Sequence, residues 1–189
     1  MAYINVAEGV PGIRSLVLFR PETGKHLYDL AQVLLRGPSP LSEAEREIIA
    51  AYVSNRNNCK FCTYSHAAAA RALLGAEEQL MDDVLNDTDT AEISGKMKAL
   101  LNIAGKVQIL GTEVKPEDIE AARKEGANDL DIHDTVLIAA TFSMYNRYVD
   151  GLASLTPPDR SDYVDMGKRL AEKGYAVPQP PSKSETAKN

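Results

Sequence analysis

The stretch Glu47–His66, EIIAAYVSNRNNCKFCTYSH, holds both cysteines of the 189-residue chain, and the reading of its neighbours starts from it. An Asn side chain accepts from the free amides of a new helix, so Asn57 or Asn58 is read as an N-cap, and the Ala-rich run 67–72 prolongs that helix. Cys59 is then expected in a first helical turn. At about 100° per residue, Cys59, Cys62 and His66 fall at roughly 0°, 300° and 340°, within one arc of about 60°. The three are expected to share a face. Two thiols at i and i+3 can close a disulfide, and unpaired amides at a helix start favour thiolate over thiol. His66, one turn after Cys62, can exchange its proton. A thiolate attacks both peroxides and disulfides, so a base beside it and a second thiol to resolve the product make a redox couple. Helix-dipole reasoning gives the lower pKa to Cys59, nearer the helix start.

Working outward, Ser42 with Glu45 three residues on is a capping box, which starts the preceding helix and carries it to about Arg56. Along it Glu47, Ala51 and Ser54 form a small, polar-tolerant stripe beside Ile48, Ile49, Tyr52 and Val53. That stripe lets the cysteine helix approach Glu47. Before it, residues 1–24 carry Pro11, Gly12, Pro21 and Gly24 and read as an extended arm with a short helix around 13–19. His26–Arg36 reads as a helix closed by Gly37.

Further helices are expected over 76–86, 91–110, from Pro116 to Gly126, from a cap at Asp131 onward, and over about 160–173. No segment alternates with period two for long, so the expected fold is all-α. The domain reading is an N-terminal arm (1–25), a first half (26–111), a second half (112–175) and a disordered tail (176–189) that lacks apolar content.

The chain is 44% hydrophobic, enough for a proper core, and its net charge of -6 argues against a nucleic-acid-binding surface. Within the N-terminal stretch the longest apolar run, Leu16–Phe19, is four residues, and nothing approaches the ~20 apolar residues of a membrane span. A cytoplasmic protein is expected, and there a close cysteine pair suggests catalysis or metal binding more than a structural staple.

A Glu, eleven residues and then CxxCxxxH, here Glu47, Cys59, Cys62 and His66, resembles the signature of the AhpD-like (alkylhydroperoxidase D, carboxymuconolactone decarboxylase-like) family, above all its peroxidase-related branch. LSEAEREIIAAYVS before the cysteines and the Asn preceding Cys59 resemble the family too. The resemblance implies the AhpD-like multihelical fold and a peroxidase in which Cys62 attacks a hydroperoxide and Cys59 resolves it as a disulfide. Glu47 and His66 then relay protons through water. It implies no bound cofactor, a small hydroperoxide substrate, and an external dithiol reductant of lipoamide or thioredoxin type. Alkylhydroperoxidase D proteins carry a second His just before the second Cys, where this chain has Phe61.

Sliding the chain on itself by 89 residues brings Leu41 onto Leu130, Ile49-Ala50-Ala51 onto Ile138-Ala139-Ala140, Ser54 onto Ser143, and Asp29 and Gly37 onto Asp118 and Gly126. We read this as a degenerate internal duplication. The places of Glu47, Cys59, Cys62 and His66 are taken in the second copy by Val136, Tyr148, Gly151 and Leu155, so the chemistry occurs once. Family members with doubled subunits resemble trimers and single-copy members hexamers, which implies a homotrimer here.

Other readings stand beside this one. Phe61 suits a disulfide reductase or redox sensor with little peroxide turnover; the wider family name suggests a lactone decarboxylase, although such members resemble chains without this cysteine pair. A non-enzymatic oligomeric scaffold with incidental thiols is a further reading. Zinc usually needs four protein ligands, and this face offers Cys59, Cys62 and His66 only, with His26 and His133 far off in sequence. Asn146 and Arg147 read as the polar end of a core helix, able to line the pocket or pair with a carboxylate such as Glu47. His133 reads as surface, and Tyr52 and Tyr64 as packing near the cysteines.

Overall fold

The computed structural model describes residues 2–75 and 78–175, and among them there are helices and no strands. Nine α-helices follow in order: α1 (Ile13–Phe19), α2 (Pro21–Arg36), α3 (Glu43–Arg56), α4 (Lys60–Leu74), α5 (Gln79–Asn86), α6 (Gly95–Ile109), α7 (Pro116–Lys124), α8 (Asp129–Gly151) and α9 (Val164–Lys173), with short 3-10 turns at Gly111–Glu113 and Arg160–Tyr163. The all-α expectation holds. The tail expected at 176–189 lies outside the described residues.

Several boundaries move for local reasons. Pro21 stands in the first turn of α2, where its missing N–H and fixed φ fit, so that helix begins five residues before His26. Ser94 caps α6 by accepting from the Met97 amide, which sets its start at Gly95 and not 91. Asn128 caps α8, accepting from the amides of Leu130 and Asp131, while the Asp131 carboxylate returns to the Asn128 amide. Asp131 is thus the third helical residue of a capping box, one turn inside the position expected for it. The Ser42–Glu45 capping box of α3 is present as read.

α3 runs through the interior. Ile48, Ile49, Ala50, Ala51 and Val53 on it are at most 2% exposed, and α4, α6 and α8 pack around it. α4 presents the small side chains Ala67, Ala69 and Ala70 to this interior. α9 lies across α4, and Gly167 marks the crossing, since a Cβ there would fall 2.5 Å from the carbonyl carbon of Ala68. Gly167→Ala is therefore expected to force the two helices apart and cost about 1–3 kcal/mol, read by urea denaturation. An unchanged midpoint would show that the crossing yields freely.

At the offset of 89 residues α2 and α3 fall on the ground of α7 and α8, whereas α4 falls on 149–163, where α8 ends and a loop and a 3-10 turn follow. The duplication, as a proposal, concerns those two helix pairs.

Candidate active site

α3 reverses into α4 within three residues. Asn57 ends α3, Asn58 adopts φ 59°, and the Cys59 amide donates to the Ser54 carbonyl at 3.0 Å. A left-handed backbone is tolerated by Asn better than by most residues, which suits it to the reversal. Cys59, and neither Asn, is the N-cap of α4. Cys59 consequently sits one position before the helix and Cys62 at its third residue. Asn57 spends its side chain elsewhere, donating to Ser143 Oγ and to Asn146 Oδ1 and accepting from Gln108. Asn146 donates in turn to Ser54 Oγ at 3.0 Å. Its part is to pin the turn to α8, and among the described residues no hydrogen bond joins it to Glu47. Arg147 donates to the Ser143 carbonyl within its own helix.

Both cysteines are free thiols, 0% and 4% exposed, packed with Phe61, Val149 and Tyr163. Tyr64 meets Tyr163 edge-on, so it does stand by the cysteines; Tyr52 instead lies against α6 at Gly105. The neighbouring Cys62 side chain, with burial second, holds the Cys59 thiol far above its ordinary range. The Cys62 charge and Asp150 push the same way, and a hydrogen bond from the Cys62 amide opposes them. The dipole argument for Cys59 fails here because burial and the neighbouring sulfur outweigh it. Burial also raises the Asp150 carboxyl, and the nearby Cys59 side chain offsets part of that rise.

Glu47 and His66 form a second group. Glu47 is fully buried, and its Oε2 lies 2.7 Å from His66 Nδ1. Oε1 accepts from Arg36 Nη2 at 2.6 Å and from the Tyr175 hydroxyl at 2.6 Å. Burial alone would raise the Glu47 carboxyl, yet the hydrogen bond and charge of His66, with those of Arg36 and Tyr175, hold it below the usual carboxylate range. Burial and the Glu47 charge push the Tyr175 phenol well up, so it serves as a neutral donor. An ionised carboxylate opposite Nδ1 assigns the His66 proton to that nitrogen.

The structure therefore brings Cys59 to Cys62 and Glu47 to His66, but among the described residues no hydrogen bond joins either sulfur to His66 or Glu47. Helical spacing places His66 one turn along from Cys62; it does not decide where the imidazole points, and Glu47 claims it. A zinc site sharing the three side chains is disfavoured for the same reason. His133 pairs with its neighbour Asp134 and is exposed, as read.

Arg36 and Tyr175 were not legible as site residues. Arg36 reads as an ordinary cation in a last helical turn. Tyr175 follows Gly174, whose φ of 64° ends α9 and turns the chain inward, and the Tyr175 amide donates to Gln32 Oε1 at 2.7 Å. A Gly-Tyr pair after an amphipathic helix is the single hint the sequence holds. Phe61 links the two groups: it packs on the cysteines and also lines a cavity of ≈ 50 Å³ bordered by Ser65, His66, Phe142 and Tyr175.

Residues 21–106 match the Carboxymuconolactone decarboxylase family. An uncharacterised peroxidase-related protein from a Silicibacter species is 30% identical, with 82% of this chain and 79% of that chain covered and a TM-score of 0.73. The chain belongs to the AhpD-like, carboxymuconolactone decarboxylase-like family. A second similar structure, an uncharacterised peroxidase-related protein from Ralstonia eutropha described as an alkylhydroperoxidase AhpD core, is 27% identical over 84% of this chain and 82% of that one, with a TM-score of 0.73. A protein of unknown function from Agrobacterium tumefaciens shares the fold, with a TM-score of 0.69 at 21% identity over 84% of this chain and 100% of that one. No curated protein matches the chain. The AhpD-like family match covers Arg36, Glu47, Cys59, Cys62 and His66 and stops short of Asp150, Tyr163 and Tyr175. Among the described residues no helix is long and apolar enough to cross a membrane.

In this AhpD-like chain the raised Cys59 thiol stays protonated through the neutral range, because deprotonation begins only as pH approaches the pKa. In a Cys62→Ala variant burial still acts, so Cys59 is expected to alkylate with iodoacetamide more slowly at pH 7 than the same thiol in urea. Equal rates folded and unfolded would contradict the burial and the shift it causes.

Proposed function

We propose that the protein is a thiol-dependent peroxidase-like oxidoreductase whose Cys59–Cys62 pair cycles between dithiol and disulfide. The observation that carries this is the pair itself, two free thiols buried together at the start of α4, Cys59 as its N-cap and Cys62 at its third residue. Cys59 is the thiol held protonated, which leaves Cys62 as the proposed attacker. The Cys62 thiolate attacks one oxygen of a hydroperoxide, the O–O bond breaks, and the alkoxide leaves as an alcohol once protonated. Cys62 is now a sulfenic acid. Cys59 attacks its sulfur, the S–S bond forms, and water departs with the Cys59 proton and the sulfenic hydroxyl. An external dithiol, lipoamide- or thioredoxin-like, then reduces the disulfide and is itself oxidised.

His66 and Glu47 are the proposed proton relay, with Arg36 and Tyr175 holding Glu47 ionised. In this reading they reach the sulfurs through water; the cavity of ≈ 50 Å³ beside His66 has room for one, and Phe61, which packs on the cysteines, borders it. A homotrimer is the proposed assembly.

Reduced protein titrated with cumene hydroperoxide is expected to lose two thiols for each peroxide consumed and to gain one internal disulfide, faster than the urea-unfolded chain. Two observations favour a second reading, a disulfide reductase or redox sensor: neither sulfur touches His66, and both are buried. Under that reading a lipoamide disulfide oxidises the pair readily, and peroxide reacts no faster with the folded protein than with the unfolded.

A further inference from the structure

The far side of the cavity next to His66 has no part in the redox scheme and is built differently. Arg14 from α1, Tyr28 from α2 and Arg169 from α9 all line it. The chain carries 27 acidic residues, yet among the described residues none pairs with Arg14 or Arg169. The Arg14 Nε atom is enclosed and has no hydrogen-bond partner. Tyr28 is 6% exposed, and its hydroxyl makes no hydrogen bond among the described residues. Both guanidinium charges act on that hydroxyl, against burial, so the three groups converge. A buried donor without an acceptor is destabilising, and two like charges lining one cavity add to that. Such a cluster gains most from an anion with several acceptor atoms, and a carboxylate matches the guanidinium fork.

The rest of the wall is apolar, supplied by Ile13, Leu27, Phe142, Met166 and Leu170. The space is ≈ 50 Å³, against the roughly 150 Å³ that holds a benzene ring, so only a short part of a ligand enters. We propose that Arg14, Arg169 and Tyr28 form a binding site for the carboxylate of a small molecule whose short apolar chain enters the cavity towards His66 and Tyr175. Binding stands independently of the redox reading. The site lies beside the His66–Glu47 pair and is not lined by either cysteine, so it assigns no hydroperoxide to the Cys59–Cys62 pair.

The test is an NMR titration of the full chain, following the His66 ring proton signals, with butanoate, 1-butanol and inorganic phosphate as probes. Butanoate is expected to shift the His66 signals saturably and the other two to leave them unmoved. Arg169→Gln and Arg14→Gln each weaken butanoate about ten-fold or more, as expected for losing one charge-assisted pair, while circular dichroism stays near wild type and the melting temperature does not fall. Binding of 1-butanol as tight as that of butanoate overturns the carboxylate assignment, and phosphate binding equal to butanoate overturns the apolar part. Unaltered butanoate binding in Arg14→Gln/Arg169→Gln overturns the site. Peroxide turnover enters none of these readouts, so failure here is distinct from failure of the redox proposal.

Discussion

Glu47→Ala is expected to remove about 3–5 kcal/mol of folding stability, because it takes away the one carboxylate at the centre of a buried charge cluster. Glu47 is fully buried, and its two oxygens accept from Arg36, Tyr175 and His66. Its loss leaves the Arg36 guanidinium facing the Leu170 and Leu35 carbonyls with no buried counter-charge. The same cluster sets a pH dependence. The folded carboxyl ionises below the unfolded value of roughly 4.3, so the stabilisation is complete above that pH and is lost as pH falls through the lower folded pKa. Glu47→Gln, which keeps shape but not charge, should therefore lack one proton's worth of acid slope in that window. Guanidinium denaturation at pH 7 and across the acid range checks both points. A Glu47→Ala variant within about 1 kcal/mol of wild type would show that the cluster contributes little net stability.

The helices were largely legible because each carries its own punctuation: Ser42 with Glu45, Pro116, and the glycines at 37, 126 and 174. What local signals could not give was the tertiary choice among competing partners. Asn57 and Asn58 both look like caps, but Asn57 is worth more as a link to Asn146 and Gln108, and Cys59 is left to start α4. The spacing of Glu47, Cys59, Cys62 and His66 was visible, and so was the closeness of the sulfurs. The turn of His66 away from Cys62 was not, since a helical wheel fixes the direction of Cβ and not what waits beyond it. Arg36 and Tyr175 reach Glu47 from 11 residues before and 128 after, and the second contact exists only because α9 ends at Gly174 beside α2. Contacts of that sequence separation leave no periodic trace.

Cys62→Ser is expected to lower peroxide-dependent turnover by roughly 10³-fold or more, since a neutral hydroxyl replaces the thiolate nucleophile. Cys59→Ser separates the two steps. Its Cys62 still attacks, so one peroxide is consumed per chain, but without the resolving thiol the sulfenic acid accumulates and can be captured with dimedone and weighed by mass spectrometry. Serine at 59 keeps a small polar side chain beside the Cys62 sulfur, which makes the trapped species a report on resolution. Phe61 and Tyr163 pack over the pair and slow the entry of water or a second peroxide, so the sulfenic acid should outlive the same species in urea. Two outcomes would sink the assignment: both variants turning over peroxide at the wild-type rate, or dimedone labelling Cys59 in Cys62→Ser as readily as Cys62 in Cys59→Ser. The second would mean that the attacking sulfur is set by access alone, and that the raised Cys59 thiol has no say in it.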